Sequence, residues 1–148
     1  MATPKKAGAK KAASKKIDPV VHFEMPTDDR KRIAKFYNQA FAGNSKITTP
    51  FVAPANSHVY HQYTLKLEGV NRDGLRDYLE EKGIPSMLYY PVPVHRQKMF
   101  DSVDPGKTDL PVTDWLTERV ISLPIHTELD EEQLQFITSK VIEFVNKA

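Results

Sequence analysis

Apolar side chains return at three- and four-residue intervals in three stretches of this chain, and each stretch is bracketed by residues that start or stop helices. Ile33, Phe36, Tyr37, Ala40 and Phe41 share one helical face. Thr27 is placed to cap that helix, Asp28 and Asp29 suit its positive end, and Gly43 supplies a stop. Leu75, Tyr78 and Leu79 form a second stripe in a helix capped by Asn71, running through about Lys82 and closed by Gly83. Leu134, Ile137, Val141, Phe144 and Val145 form the third, behind Asp130 and Gln133 in capping-box spacing. A shorter helix opens at Pro111 and carries Trp115, Leu116 and Val120.

Between the helices the period drops toward two. Residues 58–67 alternate, with Val59, His61, Tyr63 and Leu65 on one face and His58, Tyr60, Gln62, Thr64 and Lys66 on the other, which predicts a strand. Residues 19–25 and 84–90 read as two further strands, and residues 121–125 as a short buried strand or turn. Residues 44–57, with Pro50 and Pro54, read as loop or irregular extended chain. The order predicts an α+β fold, a small and mainly antiparallel sheet with helices packed on one face.

Composition changes this picture at one end only. The 148 residues are 40% hydrophobic and 27% charged, the profile of one ordinary globular domain. Residues 1–16 hold six lysines and no acid, leaving 15 basic against 19 acidic residues in the remainder, so the net charge of +2 belongs to the tail. That tail is expected to be disordered, because Lys, Ala and Gly bury too little apolar surface to offset chain entropy. The mildly acidic body argues against nucleic acid as a partner. Absence of cysteine excludes disulfides and cysteine-based zinc sites. No run of about 18 apolar residues offers a membrane span, and the expected location is the cytoplasm.

Candidate chemistry concentrates in residues 83–97, GIPSMLYYPVPVHRQ. Pro85, Pro91 and Pro93 fix φ, remove backbone donors and bar a helix over residues 90–94, so Tyr89, Tyr90, His95 and Arg96 are expected on a stiff extended path. Polar aromatic tips beside a histidine suit a polar ligand such as a sugar or nucleotide. On chemistry alone, an edge strand running into a Pro-rich loop explains the same residues. Elsewhere the signals are weak. His58 and His61 point to opposite faces of a strand and cannot chelate together. There is no HExxH run, EF-hand loop, GxSxG elbow or Gly-rich phosphate loop. Asp130, Glu131 and Glu132 are explained by a helix start, and Arg72, Arg76, Arg96 and Arg119 are single cations of the kind that make surface pairs.

Three ordered blocks, HVYHQYTLKLEG, NRDGLRDYLEEKGIPSMLYYPVPVHRQKMF and RVISLPIHTELDEEQLQFI, resemble the C-terminal small domain of the DegT/DnrJ/StrS sugar aminotransferases over about residues 44–147. The resemblance implies a pyridoxal-phosphate family acting on nucleotide-linked keto-sugars. Its Schiff-base lysine, its acid for the pyridine nitrogen and its phosphate-holding groups come from a large preceding domain. Lys66, Lys82 and Lys98 match no Schiff-base position, so no cofactor is expected to bind this chain alone. What carries over is a substrate-binding wall made of Tyr89, Tyr90 and His95, with Tyr89 where relatives often have histidine. The implied partners are a nucleotide sugar or a subunit that supplies the large domain; the oligomeric state is open.

Residues 17–41 resemble a different family. IDPVVHFEMPTDDRKRIAKFYNQAF is similar to the first strand and helix of vicinal oxygen chelate proteins, whose first strand donates a metal ligand at the position of His22. The later ligands have no counterpart, so His22 reads as structural and no metal site is expected. The expected organisation is therefore a tail over 1–16, a βα unit over 17–43 and an aminotransferase-type small domain over 44–148. Four functions remain open: an aminotransferase-related wall without its cofactor domain, a sugar-nucleotide-binding or subunit-docking module, a chelate-type protein, and a chimeric product without selected function.

Overall fold

A computed structural model describes residues 27–104 and 108–148. The tail, the strand expected at 19–25 and His22 lie outside them. Helix α1 spans Thr27–Ala40, α2 Arg72–Glu81, α3 Pro111–Thr117 and α4 Glu131–Lys147. Three short strands, β1 (Ile47–Thr48), β2 (Tyr63–Leu67) and β3 (Val120–Leu123), form an antiparallel sheet in the order β1-β2-β3. The α+β architecture is as the periodicities predict.

Alternation on β2 decides which side of the sheet is core. Tyr63, Leu65 and Leu67 are fully buried, while Thr64 and Lys66 face the other way and are half-buried. On the core side these residues meet Ile33, Tyr37 and Phe41 of α1, Leu75 and Leu79 of α2, and Leu134, Ile137, Val141 and Val145 of α4. Two buried phenols satisfy their hydroxyls inside the apolar layer: Tyr37 donates to the Pro124 carbonyl at 2.8 Å and Tyr63 to Asn38 Oδ1 at 2.6 Å. Burial raises the pKa of both.

Two of the expected helix starts, at Asn71 and Asp130, are capped as the sequence spells them. Asn71 Oδ1 accepts from the Gly74 amide at 3.0 Å. Asp130 and Gln133 bond reciprocally, each side chain to the other's backbone amide, at 2.8 and 3.1 Å. Gly83, at φ +71°, closes α2 in a Schellman turn in which Ile84 donates to the Leu79 carbonyl and Gly83 to the Glu80 carbonyl, both at 2.9 Å.

Several expectations fail for identifiable reasons. The strand expected at 58–67 begins only at Tyr63, because Tyr60 adopts φ +49° and its amide donates to His58 Nδ1 at 2.9 Å, a local turn that competes with the ladder. The turn inverts the alternation, burying Tyr60 and exposing Val59. Residues 84–90 form no strand and keep one isolated bridge, Met87 to Ser122. Val120 lies not in α3 but in β3, opposite Lys66. The loop read over 44–57 contains the two-residue β1, too short to show a period.

Candidate substrate-facing wall

The face of the sheet away from α1, α2 and α4 carries the candidate residues. Thr64 and Ser122 meet there hydroxyl to hydroxyl at 2.8 Å, and Trp115 of α3 lies beneath both Lys66 Nζ, 5.3 Å from the ring centre, and the Arg119 guanidinium, at 4.9 Å. The proline-rich strap runs alongside. Met87 exchanges two backbone hydrogen bonds with Ser122, at 2.9 and 3.0 Å, and the chain then leaves the sheet. Pro91 and Pro93 have no amide with which to continue a ladder.

The structure separates the three predicted wall residues. Tyr90 is 78% exposed and Tyr89 46%, so both rings stand in solvent at the rim. The His95 side chain is only 7% exposed. The expected extended path ends before it: after Pro93, at ψ 150°, residues Val94–Arg96 turn into a 3₁₀ helix, followed by a second over Lys98–Phe100. This tighter turn folds His95 inward and brings its Nε2 to 3.1 Å from Asp114 Oδ1, off the line of a hydrogen bond. Arg96 completes the contact, its Nη2 donating to Asp114 Oδ2 at 2.6 Å and its Nε to Oδ1 at 3.4 Å. The Arg96 bond, with its charge, holds the Asp114 carboxyl below the usual range against the opposing effect of partial burial.

Two hollows share Tyr90. One of about 210 Å³ lies between the strap, α3 and the open sheet face, with Gln62, Thr64, Arg72, Tyr89 and Ser122 in its lining. Arg72 is already committed there, since its Nη1 donates to the carbonyls of Thr117 and Val120 at 2.9 and 3.1 Å. The other, about 610 Å³, is lined mainly by apolar side chains including Val92, Val94, Phe100, Val103 and Leu110, with His95 among them. Sequence reasoning did not find the contribution of α3. Asp114 in the first turn of a short helix reads as a complement to the helix end, and nothing local marks it as the partner of residues 18 and 19 positions earlier.

None of the lysines among the described residues is buried. A Schiff-base lysine needs a desolvated or otherwise tuned environment, and pyridoxal phosphate needs an acid and a phosphate cradle beside it. Lys66 lies over Trp115, Lys82 over Tyr78 and Lys46 on the Val145 carbonyl. The described residues therefore do not fit the cofactor. Nor do any three His, Asp or Glu side chains among them gather as a metal site, and no helix among them is long and apolar enough to cross a membrane.

The class defined by fold and strap is an α+β domain whose three longer helices cover one sheet face and leave the other to an exposed, aromatic-tipped wall. The chain belongs to the DegT/DnrJ/EryC1/StrS aminotransferase family, which it matches over residues 13–142. Among curated relatives, a pleiotropic regulatory protein of Geobacillus stearothermophilus is 35% identical over 83% of this chain and 33% of its own length. UDP-N-acetyl-3-dehydro-alpha-D-glucosamine 3-aminotransferase of Acidithiobacillus ferrooxidans is 38% identical over 81% of this chain and 31% of its own. The solved structure of Streptomyces venezuelae DesV in complex with a ketimine intermediate superposes with a TM-score of 0.75, at 31% identity over 82% of this chain and 32% of that one. The chain thus spans about a third of the length of these relatives. Residues 17–41 fall inside the same match, so the resemblance to vicinal oxygen chelate proteins is set aside: this segment is part of the aminotransferase family's own sequence.

Proposed function

We infer that this chain supplies the substrate-facing wall of a nucleotide-sugar aminotransferase site whose cofactor is held by a further part of the enzyme, whether on another chain or on more of the same polypeptide. The observation that carries the reading is Tyr90: a large aromatic, 78% exposed, at the rim shared by two hollows, in a domain of sugar-aminotransferase ancestry. Exposed aromatic rings with hydroxyl tips stack on and hydrogen-bond to sugars and bases. Tyr89 stands beside it and His95 backs the turn that follows. Alone, the chain binds no pyridoxal phosphate through a lysine and transfers no amino group.

A docking role of the same face is favoured by the apolar exposure around Tyr90. Val92, Val94 and Val103, each about half or more exposed, line one hollow with Tyr90. A rim of this kind suits the cofactor-bearing portion of the enzyme as its cover, with the sugar nucleotide held between.

Saturation-transfer NMR with a UDP-linked sugar reads contacts too weak for calorimetry and tests the wall directly. Transfer to sugar or base protons in the wild type, reduced severalfold in Tyr90→Ala, is the expected outcome. Absence of transfer, or transfer undiminished in Tyr90→Ala, overturns the reading.

A further inference from the structure

We propose that Asp114, on α3 and outside the strap, is the positioning residue that latches the wall to the body of the domain. This role rests on reading the strap as a substrate wall, yet the latch itself is a matter of geometry. The strap is fastened at its two ends. At the near end Met87 and Ser122 exchange backbone hydrogen bonds. At the far end one carboxylate faces two consecutive residues: Oδ2 takes Arg96 Nη2 at 2.6 Å, while Oδ1 faces Arg96 Nε at 3.4 Å and His95 Nε2 at 3.1 Å.

Between those anchors lie Tyr89 and Tyr90, followed by two prolines that cannot donate to a neighbouring strand. The path of the tyrosines therefore depends on where the ends are held, together with Leu88, which packs against the core just before them. A fork of two N–H groups on one carboxylate fixes orientation as well as distance, which a single lysine contact would not. His95 strengthens the case. Its side chain is more than nine-tenths buried and its Nε2 stands 3.1 Å from Asp114 Oδ1, outside hydrogen-bond alignment, so the carboxylate lies against the buried ring. The charged groups around the latch are Arg96 from the turn and Asp109, whose field also reaches Arg96, with the His95 imidazole beside them. The Arg96 hydrogen bond and charge lower the Asp114 pKa from its ordinary value.

Exposed ion pairs add little to global stability, and the latch acts on a local opening instead. The reporters are the two amides of the 3₁₀ turn, Arg96 to the Pro93 carbonyl at 2.8 Å and Gln97 to the Val94 carbonyl at 3.0 Å. Amide hydrogen exchange on the full chain is measured for wild type, Asp114→Asn, Asp114→Glu and the charge-swapped pair Arg96→Asp with Asp114→Arg. Exchange at Arg96 and Gln97 is expected to rise roughly two- to fivefold in the Asn variant, with α4 amides unchanged, and to return toward wild type in the Glu or swapped variant.

Three results overturn the latch: unchanged exchange in Asp114→Asn, an equal rise throughout α4, or rescue by neither compensating variant. Saturation transfer from a UDP-linked sugar is recorded on the same samples and should fall with the opened strap. If the wild type shows no transfer, the wall reading fails while the exchange data still decide the latch.

Discussion

Tyr90 and His95 stand five positions apart and meet solvent in opposite ways, so their replacement separates binding from structure. Removing the exposed Tyr90 ring should change unfolding free energy by no more than about 0.5 kcal/mol, the range of surface substitutions, while reducing any contact with a sugar nucleotide. Denaturant unfolding of Tyr90→Ala checks this, and a larger loss would mean that the ring packs rather than projects. Glu143 offers a residue-scale test by pH. Lys147 and Lys140 donate to its carboxylate at 2.7 and 2.9 Å and draw its pKa down to about 2. A carboxyl depressed in the folded state stabilises fully above the ordinary glutamate range, and that contribution is lost as pH falls toward about 2. Glu143→Gln should therefore unfold at a slightly lower temperature than wild type at pH 7 and at the same temperature near pH 2. A gap that persists at the acid end would contradict the pairing.

At the scale of elements, the helices stand or fall on their ends and on one apolar face. Asp130→Ala removes the carboxylate that accepts from the Gln133 amide and should cost about 1 kcal/mol in denaturant unfolding. Gly83→Ala meets no steric obstacle, since a methyl group at that position would face open space, yet it forces a Cβ into φ +71° and should also cost about 1 kcal/mol. The same local chemistry explains why these helices were legible beforehand: caps, stops and stripes such as Leu134, Ile137 and Val141 lie within a few residues of one another. Strand limits were not, because Tyr60 satisfies its amide on His58 and leaves the alternation that residues 58–67 display. The tyrosines of the wall were legible as a proline-stiffened, aromatic segment. The inward fold of His95 was not, because it comes from a 3₁₀ turn that sets the ring against a carboxylate 19 positions away, and no local pattern encodes that contact.

The whole molecule divides its chemistry between two faces of a three-stranded sheet. One carries the core, where Leu65 is fully buried and Leu65→Ala should cost about 2–5 kcal/mol, enough to unfold much of a marginally stable domain. The other carries the strap, α3 and a run of exposed apolar side chains on a chain covering a third of its relatives' length. Such a division suits half of a site: a wall that shapes and covers, with bond-making groups held elsewhere. The most direct test of that claim is the visible absorbance of the purified chain titrated with pyridoxal phosphate, repeated with each lysine replaced in turn. The account predicts weak, unsaturated reaction spread over surface lysines, insensitive to any single replacement. A saturable one-to-one band abolished by replacing one lysine would contradict it, because the chain would then hold the cofactor itself.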